Sequence, residues 1–300
     1  MVGSAILRNL KRKGYKNIIY SNRNNLDLTN QSQVYNFLKK HKPKFIFIAA
    51  AKVGGILANK KYKADFITQN ILIQTNIIHG AFLSGIKNLI FLGSSCVYPK
   101  DCKKPIKESY LLNGKLEETN DAYAIAKIAG IKMCESYNSQ YKLNYKCLMP
   151  TNVFGPNDNY DDNNSHFLPA LIKKIYKLDK KNSSELEIWG NGKPKREVMH
   201  VDDLADACVF FMNKKTNHTL INIGTGKDHS IEYYAKLIAK LILNRKIKIK
   251  YDRSRPNGVF RKVMSVSIAR KYGWKAKILL EDAILKTYDT FNKERKLWKI

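Results

Sequence analysis

The sequence has no long hydrophobic run and little cysteine. None of its 300 residues lies in an apolar stretch of 18 or more, and the N-terminus lacks a basic segment followed by an apolar one. A membrane span and a secretory signal are therefore not supported. The five cysteines, Cys96, Cys102, Cys134, Cys147 and Cys208, are an odd number without C-x-x-C spacing, which argues against a disulfide framework and a zinc site. We expect a cytoplasmic protein with free thiols, no bound metal and no membrane association.

Acidic residues are also scarce, because 25 of them face 54 basic residues and the formal net charge is +29. Clustered positive charge is typical of proteins that bind nucleic acid. Here the lysines are spread over the whole chain and no long basic run occurs. We therefore expect no nucleic-acid partner, and we expect the positive field to favour an anionic substrate.

Arginine is rare, with 10 residues against 44 lysines, and Arg196 is the only arginine between Arg23 and Arg245. A chain that uses lysine for general positive charge can keep arginine where a planar, two-pronged donor is needed. Such a donor suits a phosphate or a carboxylate. The alternative is an ordinary surface arginine.

Short apolar strand patterns alternate with helical patterns along the chain, which predicts a parallel α/β sheet. The predicted strands are 17–20, 44–51, 88–93, 145–149, 186–190, 220–223 and 247–251. The predicted helices are 7–13, 27–40, 65–82, 230–243 and those beginning near 121, 166, 202 and 280. After Pro156 a polar and aromatic loop of about nine residues exceeds the usual connection of about 4–6 residues, and such loops often carry function. Two lobes without a clear linker suggest a cleft between them.

The stretch Tyr123-Ala-Ile-Ala-Lys127 is predicted to lie on a helix that begins near Asn120 and Asp121. Residues i and i+4 share a helix face, so Tyr123 and Lys127 point into the same space. An ammonium beside a phenol favours the phenolate, and the pair would serve as a proton donor for carbonyl reduction. The alternative is a chance match in a lysine-rich chain. Upstream, the apolar run from Asn88 ends in Ser94-Ser95-Cys96, as a buried parallel strand does where it opens into a site.

These motifs resemble those of the extended short-chain dehydrogenase/reductase superfamily and, within it, of the GDP-L-fucose synthase family. The blocks that carry the resemblance are Ala49-Ala-Ala-Lys-Val-Gly-Gly55, Leu92-Gly-Ser-Ser-Cys-Val-Tyr-Pro99, Tyr123-Ala-Ile-Ala-Lys-Ile-Ala-Gly130, Asn164-Ser-His166 and Trp189-Gly-Asn-Gly-Lys-Pro-Lys-Arg-Glu197. The resemblance implies a Rossmann-like, doubly wound parallel sheet and a homodimer formed through helices of the cofactor lobe. It also implies an NADP-binding domain, 1–156 with about 198–226, and a smaller GDP-sugar-binding domain, about 157–197 with 227–300.

The family converts GDP-4-keto-6-deoxy-D-mannose to GDP-L-fucose by epimerising C3 and C5 and then reducing the C4 ketone with NADPH. The resemblance implies that Cys96 is the base and His166 the acid, while Ser94 and Tyr123 hold the C4 oxygen. Tyr123 would then protonate that oxygen, with Lys127 binding the nicotinamide ribose and lowering the pKa of Tyr123. Taken alone, Cys96 is more often an inert buried thiol and His166 a cap or surface residue.

The resemblance also implies two sets of binding residues. The cofactor set is Gly3, Arg23, Leu92, Ser94, Tyr123, Lys127, Pro150, Asn152, Val153 and His166. Within it, Arg23 suits a 2′-phosphate and therefore NADPH rather than NADH. The substrate set is Lys174, Trp189, Arg196, Asn257 and Arg261. Trp189 is as often a core residue as a binding platform, and at Asn257 the family tends to have aspartate.

The N-terminus departs from the family pattern. Met1-Val-Gly3 corresponds to the end of a Gly-x-x-Gly-x-x-Gly fingerprint, of which only the third glycine is present. The first strand and the loop that cradles the pyrophosphate are missing, and we expect exposed strand edges and a lost phosphate site. Either translation was assigned to an internal methionine, which we favour, or the chain is a truncated form with impaired NADPH binding.

Two other functions remain open from the sequence. One is a sister nucleotide-sugar epimerase or dehydratase, from which the pair Cys96 and His166 distinguishes this chain. The other is a non-catalytic protein that binds nucleotides or polyanions, which the charge of +29 and the incomplete fingerprint suggest.

Overall fold

The computed structural model describes residues 1–162, 164–181, 183–254 and 258–294. In chain order the elements are α1 Val2–Arg12, α2 Gln31–His41, β1 Ile46–Ile48, α3 Ile56–Lys61, α4 Lys63–Leu83, β2 Asn88–Leu92, α5 Asp121–Tyr141, β3 Asn144–Pro150, β4 Asn152–Phe154, α6 Phe167–Lys180, β5 Glu185–Trp189, β6 Lys195–His200, α7 Val201–Asn213, β7 Leu220–Ile223, β8 Asp228–Ser230, α8 Ile231–Leu243, β9 Lys248–Asp252, β10 Arg261–Lys262, α9 Ser267–Lys271 and α10 Leu280–Glu294. Within these ranges no helix combines the length and the apolar character needed to cross a membrane.

A parallel sheet in the order β1-β2-β3-β7 forms the centre of the first part of the chain. Successive residues of β2 face opposite sides of this sheet, as strand geometry requires. Ile90 and Leu92 join one core, with α1 and α7, while Leu89 and Phe91 join another, with α4 and α5. Helices therefore cover both faces, and the predicted doubly wound, Rossmann-like α/β fold is confirmed.

The predicted strand at 17–20 was wrong, because these residues form no strand in the structure. Ile19 and Tyr20 are exposed. A strand needs a neighbour for its backbone hydrogen bonds, and among the described residues β1 pairs only with β2. Strand β1 is also shorter than the predicted strand at 44–51. The other edge of β1 has no partner strand within the described ranges.

Shorter sheets and a separate core make up the second part of the chain. Strands β4, β6 and β10 are parallel, β8 joins β6 in the antiparallel sense, and β5 pairs with β9. Helices α6, α8 and α10 pack around Phe154, Tyr234 and Phe291. The sequence predicted β5, β9 and α10, but not the short strands β4, β6, β8 and β10, whose two to six residues carry too little periodicity to be recognised.

A fully buried carboxylate, Glu197, connects three chain segments. It accepts hydrogen bonds from the backbone N–H groups of Gly226, at 2.7 Å, and Met264, at 2.8 Å. Strand β6, the loop after β7 and the segment after β10 are thereby held together. As a result β10, although far along the chain, has a fixed position beside the end of the central sheet.

Candidate active site

The end of β2 delivers Ser94 and Cys96 to the carboxyl edge of the sheet. A Cβ at Gly93 would lie 2.0 Å from the terminal methyl of Met149, so glycine leaves room for this side chain at the end of β2. Ser94 then begins a single 3-10 turn, Ser95–Val97, and its hydroxyl oxygen accepts a hydrogen bond from the Cys96 backbone N–H at 3.2 Å. This local cap fixes the cysteine at the strand end.

Helix α5 places Tyr123 and Lys127 beside that strand end, one turn apart as predicted. The Tyr123 phenol and the Ser94 hydroxyl are hydrogen bonded. Burial raises the pKa of Tyr123 well above its usual value, and negative charge on Cys96 raises it further, while the bond to Ser94 acts against both. Tyr123 therefore keeps its proton at neutral pH, as a proton donor must.

Lys127 does not have the predicted effect on Tyr123. Its ammonium donates a hydrogen bond of 2.8 Å to the Leu92 carbonyl and lies 4.6 Å from the centre of the Phe91 ring. Burial lowers the pKa of Lys127 to about 8. The expectation that Lys127 lowers the pKa of Tyr123 was wrong, because the ammonium is directed at the end of β2, a contact that i,i+4 spacing does not reveal.

Two donors lie close to the Cys96 sulfur. The Lys262 ammonium is 3.3 Å from it, and the Asn120 side-chain nitrogen is 3.5 Å from it. Burial raises the pKa of this thiol, but Lys262, the bond to Ser94 and the guanidinium of Arg196 lower it, and the net result is a pKa below the usual value. The surroundings thus favour the thiolate, the form in which cysteine acts as a base or nucleophile.

His166 immediately precedes α6 and makes no capping hydrogen bond with its side chain. The segment before it is held by the loop after β1, because the Gly55 N–H donates to the Asn164 carbonyl at 3.0 Å. A Cβ at Gly55 would lie 2.8 Å from the Ser165 carbonyl oxygen, so this contact requires glycine. Desolvation by the surrounding protein lowers the pKa of His166, although the residue as a whole is exposed to solvent, and the Lys262 ammonium lowers this pKa further.

Four of the five predicted substrate residues can be located. Lys174 donates to the Glu187 carbonyl at 3.0 Å, and its ammonium lies 5.9 Å from the centre of the Trp189 ring. Arg196 donates to the Lys195 carbonyl at 2.9 Å, and its charge acts on Cys96. Arg261 forms a two-pronged ion pair with Asp228, at 2.7 and 3.1 Å. Asn257 lies outside the described residues.

The predicted cofactor residues follow the carboxyl edge of the central sheet. Pro150 ends β3, and Asn152 and Val153 begin β4, where the Asn152 amide donates to the Glu197 carbonyl at 2.8 Å. Gly3 lies in the first turn of α1, where a Cβ would stand 3.8 Å from that of Ala49, and Arg23 lies in an exposed turn. Their role in binding a cofactor stays a prediction.

Sequence reasoning missed Asn120 and Lys262. Asn120 was noted only as a residue that favours a helix cap, and Lys262 is one of 44 lysines. Both line an open cleft next to Cys96. The only signal for Lys262 was its place beside Arg261, in a loop that the family resemblance connects with the nucleotide sugar.

Comparison with known proteins identifies the family. The family described as the NAD dependent epimerase/dehydratase family matches residues 1–224. The chain belongs to this family. It is 46% identical over 293 residues to GDP-L-fucose synthase 1 of Arabidopsis thaliana, covering 98% of this chain and 90% of that protein. It is 44% identical over 300 residues to GDP-L-fucose synthase of Escherichia coli, covering 97% and 93%. The resemblance found in the sequence is confirmed.

A solved structure extends this likeness to three dimensions. It is MlghC, a GDP-mannoheptose C4 reductase from Campylobacter jejuni with NADP bound, and its TM-score is 0.87 at 38% identity. The match covers 97% of this chain and 95% of that one.

The depressed pKa of Lys127 predicts a pH-dependent contribution to stability. Between about pH 8, the pKa in the folded protein, and the usual lysine value of 10.5, the unfolded chain binds a proton that the folded chain does not. The free energy of unfolding of the wild type, relative to that of Lys127→Met, should therefore rise as the pH increases from 8 to 10. Urea unfolding at several pH values measures this difference.

The matched control for that experiment is Lys132→Met, an exposed lysine on the same helix. The difference in free energy of unfolding between the wild type and Lys132→Met should not change with pH in the same direction, because Lys132 is exposed and its charge is not desolvated on folding. Parallel curves for the wild type and Lys127→Met would contradict the burial of a charged Lys127.

Proposed function

We propose that this protein is an NADPH-dependent enzyme that epimerises C3 and C5 of GDP-4-keto-6-deoxy-D-mannose and reduces its C4 ketone to give GDP-L-fucose. One observation carries the proposal. The Cys96 sulfur, stabilised as a thiolate by Lys262, lies close enough to Tyr123 for its charge to raise the pKa of the phenol. A base and a proton donor therefore act in one cleft. The names of the Arabidopsis thaliana and Escherichia coli relatives support the same substrate.

Epimerisation is possible because C3 and C5 are adjacent to the C4 ketone. The C3 and C5 hydrogens are acidic because the negative charge left by their removal spreads onto the C4 oxygen as an enolate. Cys96 takes the proton as a thiolate, and His166 returns a proton to the opposite face of the carbon. The Ser94 hydroxyl and the Tyr123 phenol lie next to each other, and each donates its single proton to a hydrogen bond with the enolate oxygen.

Reduction uses the same oxygen. When bound, NADPH would supply the hydride for C4, and the C4 oxygen would then need one proton. Tyr123 is the donor, since burial and the Cys96 charge keep its proton in place until the developing alkoxide demands it. Ser94 holds the C4 oxygen next to the Tyr123 phenol during both steps. One oxygen site thus serves the enolate first and the alkoxide second.

The residues at the sheet edge fit the nicotinamide half of NADPH. Lys127 is a buried ammonium whose only hydrogen bond among the described residues is to the Leu92 carbonyl, so it has further donors for a ribose hydroxyl. Tyr123 stands one turn before it. The small side chains Ala49, Ala50 and Ala51, which follow β1, leave room along the same edge. Arg23, exposed in its turn, suits a 2′-phosphate.

The second part of the chain suits the GDP half of the substrate. Trp189 offers a flat ring and Lys174 an ammonium beside it, while Arg196 connects this side of the cleft to Cys96. We propose that 1–156 with about 198–226 bind the cofactor and that about 157–197 with 227–300 bind the nucleotide sugar. The net charge of +29 would draw the anionic substrate toward the cleft.

A C4 reductase without epimerase activity is the second candidate, because MlghC carries that name. Such a reaction needs Tyr123 and a hydride but no base. The lowered pKa of Cys96 favours epimerisation, since a pure reductase gains nothing from a thiolate in its cleft.

We also propose that the enzyme is a cytoplasmic homodimer formed through α4 and α5. All five cysteines are free thiols, which suits a reducing compartment. Helices α4 and α5 pack on each other and still expose the large apolar side chains Leu72, Leu83, Ile125 and Tyr141. Covering them with the same helices of a second copy would remove apolar surface from water.

Replacing Cys96 by serine should stop epimerisation while leaving NADPH binding unchanged. General bases typically contribute about 10²–10⁴-fold to rate, so formation of GDP-L-fucose should fall by a factor in that range. Product analysis by NMR and NADPH fluorescence measure the two effects. Cys102→Ser is the matched control and should retain wild-type activity. Wild-type formation of GDP-L-fucose by Cys96→Ser would refute the role of the thiol.

The wild-type protein should have twice the chain mass of 34.5 kDa by light scattering coupled to size-exclusion chromatography. Leu72→Lys should shift it toward the single-chain mass, because an ammonium would be buried in the interface. Leu279→Lys changes an equally apolar, exposed residue outside α4 and α5 and should leave the mass unchanged. A wild-type protein with the mass of one chain would contradict the dimer.

A further inference from the structure

Asn120 is in an unusual position for a residue at the start of a helix. It is the N-cap of α5, yet its side chain makes no capping hydrogen bond. The Asp121 carboxylate accepts a bond from the Ala122 N–H at 2.7 Å instead. The Asn120 amide nitrogen is directed at the Cys96 sulfur, 3.5 Å away. Its amide oxygen is buried and has no hydrogen-bond partner among the described residues.

Lys262 approaches the same sulfur from another element. Strand β10 pairs with β6, opposite Arg196, and the Met264 N–H just beyond it donates to Glu197. The ammonium is therefore held 3.3 Å from the sulfur by a fixed backbone. Cys96 thus lies between donors from α5 and β10, which are separate in the sequence and rigidly placed.

We propose that Asn120 is a positioning residue for Cys96. Together with Lys262, Asn120 holds the sulfur as a thiolate, and its amide turns to accept a hydrogen bond when the sulfur takes up a proton. The inference rests on the proposed function, in which Cys96 takes a proton from the sugar. While the sulfur is a thiolate, the Asn120 nitrogen donates to it. Once the sulfur carries the proton, a half-turn of the amide lets the Asn120 oxygen accept from S–H.

The half-turn costs little because the amide oxygen has no other hydrogen bond to lose. In the reaction, the sugar C–H bond breaks, its electron pair passes to the C4 oxygen, and its proton goes to sulfur. The thiol later gives this proton to water. If the Asn120 side chain capped the helix, by contrast, its amide could turn only by losing the capping hydrogen bond.

The groups that face the sulfur come from every element packed around it. They are Ser94 and Tyr123 at the sheet edge, Lys262 on β10 and Arg196 on β6, with Glu117, Lys100 and Lys104 farther along the cleft. Lys262 and Arg196 favour the thiolate, and burial opposes it. Asn120 carries no charge and does not titrate, so its contribution can be separated from those of Lys262 and Arg196.

The experiment is the pH dependence of alkylation of Cys96 by iodoacetamide, followed by mass spectrometry of its peptide in the full chain. Only the thiolate reacts, so the midpoint reports the pKa of the thiol without any substrate. Asn120→Leu removes both hydrogen-bonding atoms at similar volume, and alkylation at pH 7 should slow by about threefold to tenfold. Asn120→Asp keeps the shape but adds a negative charge, and it should slow alkylation at least as much. Lys262→Met should slow it by tenfold or more.

Lys250→Met, on the exposed face of β9, and Asn113→Leu, in an exposed loop, are the controls and should alkylate as the wild type does. A purely structural role for Asn120 would predict that Asn120→Leu leaves the alkylation midpoint unchanged, and that result would overturn the proposal. The rate of GDP-L-fucose formation falls at low pH, and the midpoint of this fall should move to higher pH in the variants. The variants should rank by this shift as they rank by their loss of alkylation rate.

The experiment distinguishes a failure of the proposed function from a failure of the proposed role of Asn120. If the wild type makes no GDP-L-fucose while the alkylation midpoints move as expected, the proposed function fails and the thiolate site stands. If the wild type is active and the Asn120 variants alkylate normally, the role of Asn120 fails alone.

Discussion

The whole site depends on a charge balance between one sulfur and one ammonium. Lys262 follows Cys96 by 166 residues, yet their side chains are 3.3 Å apart. The ammonium offsets the burial that would otherwise protonate the sulfur, and the sulfur in turn raises the pKa of Tyr123. The ammonium thereby favours the deprotonated form of the base, while burial and the charge of the sulfur favour the protonated form of the acid in the same cleft.

The fold maintains this balance by joining parts that lie far apart in the chain. Glu197 connects β6 to the segment that carries Lys262, although burial raises its own pKa. Asn222 serves the same purpose at the end of β7, where its amide nitrogen donates to the Ile106 carbonyl and its oxygen accepts from the Tyr98 hydroxyl. Gly55 clamps the segment before His166. These contacts stabilise the arrangement of the elements around the cleft as well as the individual elements.

Local features were predictable from the sequence, and long-range ones were not. The strand end at Ser94 and the spacing from Tyr123 to Lys127 depend on a few neighbouring residues, so pattern and family resemblance placed them correctly. The strand at 17–20 failed because pairing depends on a neighbour, not on the segment itself. Spacing rules do not describe tertiary contacts. Three such contacts were therefore missed, namely those of Lys127 with Leu92, of Asn120 with Cys96 and of Lys262 with Cys96. The scarcity of arginine drew attention to Arg196, and the family resemblance supplied His166, which would otherwise have been taken for a cap or surface residue.

The most direct test of the account is hydrogen exchange in the substrate. GDP-4-keto-6-deoxy-D-mannose is incubated with the wild-type protein in D₂O without NADPH, and the sugar is examined by NMR. Because Cys96 and His166 act before any hydride is needed, the account predicts deuterium at both C3 and C5. A sugar recovered with hydrogen at both carbons, from a preparation that still reduces its ketone when NADPH is added, would contradict it.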